Sequence, residues 1–194
     1  MIDVGAAEGE VTRVCAEAVG PTGRVWALEP NPRHDPALRA LMTTLPQIAV
    51  RPVAAGSPAG MRPVFQSINA KQASLYQALT KRPTTGAWEM IVPVIELDTF
   101  RDVSAVKIDA QGAEVEILRG ATTLLRTCPF WVLEVWPHGL RTAGTSAVAL
   151  WQQLTAAGLS PFWMDDQPVT EAEALAYQTD TVGEGPYSNW VARR

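Results

Sequence analysis

The sequence has few of the residues that build disulfide frameworks and zinc sites. Among 194 residues there are two cysteines and two histidines. Cys15 and Cys128 lie far apart and have no partner histidine nearby, so neither a disulfide framework nor a zinc site is indicated. We expect both cysteines to be small core residues.

Strong charge and long apolar runs are also missing. The chain has 16 Lys and Arg against 20 Asp and Glu, a formal net charge of −4, and no basic cluster interleaved with aromatic residues. This argues against nucleic acid as a partner. The apolar runs fall short of the roughly 20 residues that a membrane helix needs, and the sequence starts without a basic leader. A cytoplasmic protein with no membrane partner is expected.

Apolar segments of strand length alternate with amphipathic segments of helix length. With 47% hydrophobic residues the chain can fold, and its length suits one domain, residues 1–194. The alternation is typical of an α/β fold, a mostly parallel sheet with helices on both faces. Strands are predicted at residues 1–4, 24–29, 48–54, 63–66, 90–95, 103–109, 130–135, 161–164 and 189–192, and helices at 10–19, 36–45, 113–125 and 146–157.

The loop after the first predicted strand is rich in glycine and acidic residues. Ligands of open α/β sheets bind beyond the carboxyl ends of the strands, and the glycines at 5 and 9 let a ligand approach the backbone. The G-x-x-x-G spacing differs from the dinucleotide motif, and Glu8 and Glu10 would oppose a pyrophosphate. The loop therefore favours a cationic ligand. The alternative is that both glutamates only complement the helix dipole.

Glu29 ends the second predicted strand. An acid at this position commonly accepts hydrogen bonds from both hydroxyls of a ribose, which suits any adenosine ligand. The alternative is a solvated acid in front of the Pro-x-Pro turn at residues 30–32.

The strand at residues 103–109 carries a charge pair. Side chains alternate along a strand, so Lys107 and Asp109 share one face. A buried lysine needs a partner, which Asp109 or a nearby acid would supply. Glu114 is expected on the inward face of the next helix, towards the same crevice. The alternative is a structural ion pair beside a capped helix.

Further candidates follow the strand at residues 130–135. Glu134 adds an acid to the rim of the sheet, and His138 is a candidate base because its ordinary pKa lies near neutrality. The alternative for His138 is a solvated loop side chain. Among the seven tryptophans we expect Trp26, Trp131 and Trp151 in the core, with Trp136, Trp163 and Trp190 as candidates for a pocket wall.

Five segments together resemble the FkbM-type methyltransferases, a branch of the class I methyltransferases. They are residues 2–12 (IDVGAAEGEVT), 25–32 (VWALEPNP), 94–100 (VIELDTF), 106–121 (VKIDAQGAEVEILRGA) and 132–135 (VLEV). The resemblance implies a three-layer Rossmann-like fold and transfer of the methyl group of S-adenosylmethionine to a hydroxyl, typically of a sugar or secondary metabolite. This cofactor has no phosphate and carries positive charge on sulfur, which agrees with the acidic loop.

The resemblance also implies roles for individual residues. Asp109 would be the base or orienting acid and would also contact the cofactor, with Lys107, Glu134 and His138 as further catalytic candidates. The cofactor residues would be Asp3, Gly5, Ala6, Glu8, Gly9, Glu10 and Thr12 around the methionine part, Glu29 on the ribose, and Pro30 and Asn31 beside the adenine, with residues 53–55, including Ala54, on its other side.

The sequence departs from the family pattern in two places. Gln111 stands where the family usually has Glu, and a neutral amide neither takes a proton nor binds a metal well. A divalent cation on Asp109 with Glu134 or Glu114 is therefore possible but less favoured than a metal-free reaction. The sequence also begins inside the first predicted strand, where relatives have preceding residues that help to cover the cofactor, so a truncated start is a hypothesis.

Two other functions stay open at this point. A non-catalytic relative that binds the cofactor or a protein is indicated by Gln111 and the short start. A nicotinamide-dependent oxidoreductase is disfavoured by the missing G-x-G-x-x-G motif and by the lack of a second domain. The acceptor's identity does not follow from the sequence. Its specificity is expected to come from residues 56–90 and from the segment after Trp136, including residues 165–166 and 183–185.

Overall fold

The computed structural model describes residues 1–66, 73–75, 88–180 and 185–194. Within these ranges the chain forms a seven-stranded and a four-stranded sheet. The large sheet contains β1 (Ile2–Val4), β2 (Val25–Leu28), β3 (Ile48–Arg51), β8 (Ala105–Ile108), β9 (Phe130–Val135), β10 (Ser160–Trp163) and β11 (Ser188–Arg193). The small sheet contains β4 (Ala54–Ala55), β5 (Gly60–Gln66), β6 (Ala73–Ser74) and β7 (Trp88–Ile95).

Helices complete the described elements. They are α1 (Glu10–Val19), α2 (Asp35–Thr44), α3 (Glu114–Arg119), α4 (Leu124–Thr127), α5 (Pro137–Thr142), α6 (Ala147–Ala156) and α7 (Glu171–Asp180), with a 3₁₀ turn at Leu97–Thr99. Among the described helices none is long and apolar enough to cross a bilayer.

The strand order of the large sheet is β3-β2-β1-β8-β9-β11-β10. The strands from β3 to β9 are parallel, and β11 runs antiparallel to both of its neighbours. The chain passes from β1 outward to β3 and later from β8 outward to β9, so the loops after β1 and β8 diverge from the middle of the sheet. Such a switch point is where open α/β sheets bind ligands. The predicted mostly parallel sheet is confirmed.

Two predicted elements are divided in the structure. The strand predicted at 48–54 ends at Arg51, because Pro52 has no N–H for a sheet hydrogen bond, and β4 pairs with β7 of the small sheet instead. The helix predicted at 113–125 breaks at Gly120. There the carboxylate of Asp98 accepts hydrogen bonds from the backbone N–H groups of Thr123 and Leu124 and so starts α4 separately.

Two helices were not predicted. Pro137 occupies the first turn of α5, a favoured place for proline, although residues 136–139 read as a loop. Before α7, Thr170 and Glu173 form a capping box: the Glu173 carboxylate accepts from the Thr170 backbone N–H, and the Thr170 hydroxyl accepts from the Glu173 N–H. The T-x-x-E signal for α7 is present in the sequence.

The core confirms part of the expected burial. Cys15 and Cys128 are buried free cysteines, and Trp131 is fully buried. Trp190, a predicted pocket wall, is also fully buried, because its ring lies in the hydrophobic core and packs against Trp163 with ring centroids 5.7 Å apart. Trp26 and Trp151, predicted core residues, are partly buried and pack against the core surface.

The small sheet is fastened to α3 by polar contacts. The guanidinium of Arg62 forms an ion pair with the carboxylate of Glu116, which also accepts a hydrogen bond from the backbone N–H of Ser57. The Ser57 hydroxyl donates to Glu96 at 2.9 Å. Of the segments predicted to set specificity, residues 67–72, 76–87 and 183–184 lie outside the described residues.

Candidate active site

The loop after β1 comes into close backbone contact with the loop after β8 at Gly5. Gly5, Ala7 and Gly9 have φ values of 73°, 46° and 88°, in the left-handed region. A Cβ atom on Gly5 would lie 1.9 Å from the carbonyl oxygen of Asp109. Only glycine therefore allows the two loops to approach this closely.

A pocket lies at this contact, beyond the carboxyl ends of β1, β2 and β8. Its empty volume is about 700 Å³, which includes open solvent at its mouth. The predicted cofactor residues Gly5, Glu29, Pro30, Ala54 and Asp109 line it. Further lining residues are Val4, Ala7, Leu28, His34, Val53, Ala55, Val64, Ser74, Leu75, Ala110, Gln111 and Ala113.

Some lining residues had no clear signal in the sequence. Val64, Ser74 and Leu75 come from the small sheet, whose long-range pairing is not visible in local periodicity. His34 precedes α2 and lines the pocket beside Glu29. Its place five residues after the strand-end acid Glu29 is a feature of the sequence that points to this position.

The carboxylate of Glu29 joins the first two loops. Its Oε2 accepts a hydrogen bond from the Ala7 backbone N–H and its Oε1 accepts one from the Asn31 N–H, each at 2.8 Å. Burial raises the pKa of Glu29, against the opposing effects of those two hydrogen bonds and of His34. Each oxygen keeps a further lone pair for a ligand.

Asn31 does not line this pocket. It is 1% exposed, and its side-chain oxygen accepts a hydrogen bond from the Arg33 backbone N–H at 3.0 Å. It therefore shapes the turn after β2 and has almost no free surface with which to flank an adenine.

Asp3 and Thr12 lie beneath the first loop. Asp3 has no exposed surface; its Oδ2 accepts a hydrogen bond from the Thr12 hydroxyl at 2.6 Å, and its Oδ1 lies 3.1 Å from Lys107 Nζ. Thr12 is also fully buried. Neither side chain lines the pocket, and their contacts support the loop, so their predicted place around the methionine part of the cofactor stays a prediction.

Lys107 pairs first with Asp3. Its ammonium group also donates to the carbonyl oxygens of Val4 and Gly5, at 3.2 and 3.0 Å, and lies 3.8 Å from Asp109 Oδ2. The expected partner was Asp109 or a nearby acid, and the structure assigns the closer contact to the acid of the neighbouring strand. Lys107 thus holds the end of β1 and does not line the pocket.

Four other predicted cofactor residues also lie outside the pocket lining. Glu8 and Glu10 are exposed, and Glu10 lies in the first turn of α1, where it complements the helix dipole. Ala6 and Gly9 are buried, and a Cβ atom on Gly9 would lie 2.4 Å from Leu41 Cδ1 of α2. Gly9 therefore serves packing against α2.

A cluster of polar side chains lies where β8 and β9 end. The Gln111 amide nitrogen is 2.9 Å from Asp109 Oδ1 and 2.9 Å from Glu134 Oε2. Burial, with the nearby Asp109 and Glu114 carboxylates, raises the pKa of Glu134 to about 9. Glu134 therefore keeps a proton at neutral pH, while the Asp109 side chain is 37% exposed and lines the pocket.

Glu114 lies in the first turn of α3 and is turned inward, but it does not line the pocket. It is fully buried, and its Oε1 accepts hydrogen bonds from the backbone N–H groups of Ala110 and Gly112, at 3.0 and 3.2 Å. Burial raises its pKa to about 7. Glu114 thus shapes the loop between β8 and α3. Among the described residues, no three or more His, Cys, Asp or Glu side chains are grouped to hold a metal ion.

His138 lies in α5 and not in a loop. Its ring packs against Trp136, with centroids 5.2 Å apart and planes tilted by 48°. His138 is half-buried and does not line the pocket. Of the four predicted catalytic side chains, Asp109 is the one that reaches the pocket lining.

We expect Glu134 to make stability depend on pH. An unfolded Glu has a pKa near 4.3, so between about pH 4.3 and 9 the folded protein holds a proton that the unfolded chain has released. The free energy of unfolding therefore falls as pH rises through this window. Glu134→Gln removes the titration and should flatten the fall by up to about 1.4 kcal/mol per pH unit.

Urea unfolding at several pH values between 5 and 9 measures this effect. Glu17→Gln, on the exposed surface of α1, is the control for charge removal. Equal slopes for Glu134→Gln and the wild type would show that Glu134 is ionised in the folded protein.

The family of the chain follows from its match to a known domain. The profile of the methyltransferase FkbM domain matches residues 3–158, which include the pocket loops and the cluster at Asp109. The chain belongs to the FkbM methyltransferase family. The expected family is thereby confirmed, and with it the class of S-adenosylmethionine-dependent methyltransferases for this FkbM domain.

Solved structures confirm the fold of the FkbM domain. Methyltransferase FkbM from Methylobacillus flagellatus KT is 17% identical with a TM-score of 0.51, covering 100% of this chain and 43% of its own length. Precorrin-6y C5,15-methyltransferase from Geobacter metallireducens GS-15 is 17% identical with a TM-score of 0.53, covering 100% of this chain and 78% of its own. The chain thus spans less than half of the Methylobacillus protein. No curated protein matches significantly.

Proposed function

We propose that the FkbM domain transfers the methyl group of S-adenosylmethionine to a hydroxyl of a small sugar or secondary metabolite. The observation that carries this proposal is a pocket at the switch point of the sheet lined by two acids, Glu29 and Asp109. Within the described part of the chain its lining includes no Arg or Lys. Acidic lining suits a sulfonium cation and opposes a pyrophosphate.

The positions of the lining residues suggest how the cofactor is held. Glu29 has a free lone pair on each oxygen, which suits the two hydroxyls of a ribose. Pro30, after β2, and Ala54, in β4, offer apolar surface for the adenine, and Gly5 leaves the backbone open for the methionine part. The residues around Gly5 thus fit S-adenosylmethionine, and Asp3 and Thr12 support the loop after β1 that carries Gly5.

Asp109 is the proposed acceptor of the hydroxyl proton. S-adenosylmethionine, held by Glu29 and the loop around Gly5, would supply an electrophilic methyl group to the acceptor hydroxyl and take back the C–S electron pair, and the Asp109 carboxylate would take the proton that the hydroxyl loses. Asp109 lines the pocket with a partly exposed carboxylate, as a base must. Glu134 already holds a proton and does not compete for this role.

The acceptor is proposed to enter from the side of the small sheet. Val64, Ser74 and Leu75 line the pocket opposite the cofactor loops, which supports a role for residues 56–90 in specificity. A small hydroxylated molecule as acceptor agrees with the resemblance to the FkbM-type methyltransferases. A cytoplasmic location stays a prediction from the sequence.

We expect Glu29→Gln to raise the Kd for S-adenosylmethionine by roughly 10–100-fold, because a hydrogen bond to a charged group contributes about 1.5–3 kcal/mol. The new amide would also turn an NH₂ group towards the N–H of Ala7 or Asn31. Calorimetry with S-adenosylmethionine and with NAD measures both affinities, and Glu17→Gln is the matched exposed control.

The same measurements distinguish the alternative functions. Binding of NAD without binding of S-adenosylmethionine would reject the proposal in favour of an oxidoreductase. Binding of S-adenosylmethionine without release of S-adenosylhomocysteine, across a panel of hydroxylated compounds, would indicate a non-catalytic relative.

A further inference from the structure

Gln111 connects three parts of the fold. Its amide nitrogen lies 2.9 Å from Asp109 Oδ1 and 2.9 Å from Glu134 Oε2. The backbone carbonyl oxygen of Gln111 accepts a hydrogen bond from the Ser74 hydroxyl of the small sheet at 3.2 Å. The backbone reaches this position with a φ of 51°, in the left-handed region. One residue thus joins the ends of β8 and β9 to β6.

The chemistry of a primary amide suits this position. Its nitrogen carries two N–H groups, so it can donate to two carboxyl groups at once without adding charge. A glutamate of the same length would instead place a third acid beside two others and raise the cost of ionising any of them.

Lys107 is a distant positioning partner of Asp109, which also forms a side-chain hydrogen bond with Glu134. Its ammonium group lies 3.8 Å from Asp109 Oδ2 and is held more closely by Asp3, at 3.1 Å. The hydrogen bond at Asp109 Oδ1 comes from Gln111. Contacts on both oxygens fix the plane of a carboxylate, and Gln111 supplies the shorter one.

We propose that Gln111 is a positioning residue, whose amide holds the Asp109 carboxylate in the orientation that accepts the acceptor's proton and ties it to Glu134. This inference rests on the proposed function and goes beyond it, because it gives a catalytic purpose to the residue that departs from the family pattern. Gln111 itself does not take part in bond making.

Four substitutions and two readouts test the positioning role of Gln111 without needing the natural acceptor. Gln111→Asn keeps an amide and tolerates a positive φ, but it is one methylene too short to reach both carboxyl groups. In labelled protein, the Gln111 side-chain amide signals are identified by their loss in Gln111→Asn. Asp109→Asn and Glu134→Gln are each expected to shift these signals, because each changes one of the two groups that accept from the amide.

Turnover supplies the second part of the test. Gln111→Asn is expected to lower kcat by about 10–100-fold with little change in the Kd for S-adenosylmethionine, since misplacement of a catalytic group reduces rate without removing cofactor contacts. Gln111→Glu is expected to recover activity relative to the wild type as pH falls, because its protonated carboxyl can donate one hydrogen bond. A merely structural residue would give no such pH dependence.

The outcomes separate the inference from the function on which it rests. The positioning role would be overturned if the Gln111 amide signals did not shift in either Asp109→Asn or Glu134→Gln, or if Gln111→Asn had the wild-type kcat. Either result would leave the proposed function standing. A wild-type protein that neither binds S-adenosylmethionine nor releases S-adenosylhomocysteine would overturn the proposed function, and the positioning role with it.

Discussion

Asp109→Asn is expected to lower methyl transfer by about 10²–10⁴-fold, the usual contribution of a general base. Asparagine has the same shape, and its oxygen can still accept the hydrogen bond from Gln111, so the loop should keep its structure. What is lost is the ability to take a proton. Release of S-adenosylhomocysteine measures turnover, and calorimetry measures the Kd of the cofactor separately, which should change by less than about threefold.

The control for this substitution is Asp102→Asn. Asp102 is exposed and does not line the pocket, so the change removes the same charge far from the chemistry. Unchanged turnover in Asp109→Asn would remove Asp109 from the reaction. A weakened cofactor affinity that accounts for the whole loss would reassign Asp109 to binding.

Gly5→Ala should destabilise the fold and abolish cofactor binding together. The new Cβ would lie 1.9 Å from the carbonyl oxygen of Asp109, and the φ of 73° is itself unfavourable for alanine. Strain of about 1–2 kcal/mol from the backbone adds to about 1–3 kcal/mol from forcing the two loops apart. Urea unfolding gives the loss of stability, and calorimetry is expected to detect no binding of S-adenosylmethionine.

Gly144→Ala separates these two contributions. Gly144 has the same φ of 73° as Gly5, but a Cβ atom there meets nothing within 4 Å. This variant should therefore show the backbone strain alone and bind the cofactor normally. Equal losses of stability in Gly5→Ala and Gly144→Ala would mean that the close contact between the loops after β1 and β8 is absent.

Local patterns predicted the large sheet well and the small sheet poorly. The predicted bounds of α1 and β9 agree with the structure at both ends, because glycine, proline and uniform apolar runs mark them. The small sheet depends on pairs such as β4 with β7 and β5 with β7, which are far apart in sequence. Turn residues between them gave no indication of that pairing.

The candidate site shows the same limit at the scale of single residues. The strand-end rule identified Glu29 and Asp109, but the sequence does not say which side of a loop with several positive φ angles faces the pocket. Alternation placed Lys107 beside Asp109, whereas the register opposes Lys107 to Asp3 across β1 and β8. Directly paired residues on neighbouring strands lie closer than residues two apart on one strand.

The small sheet has a consequence for how new acceptors arise. Its attachment to α3, by the Arg62 side chain and the Ser57 backbone N–H on Glu116, does not involve Glu29 or Gly5. Under the proposed function, substitutions in β5 and β7 are therefore expected to change the choice of acceptor more than the binding of the cofactor. Chimeras that exchange residues 56–95 between family members are a rational route to altered acceptor choice.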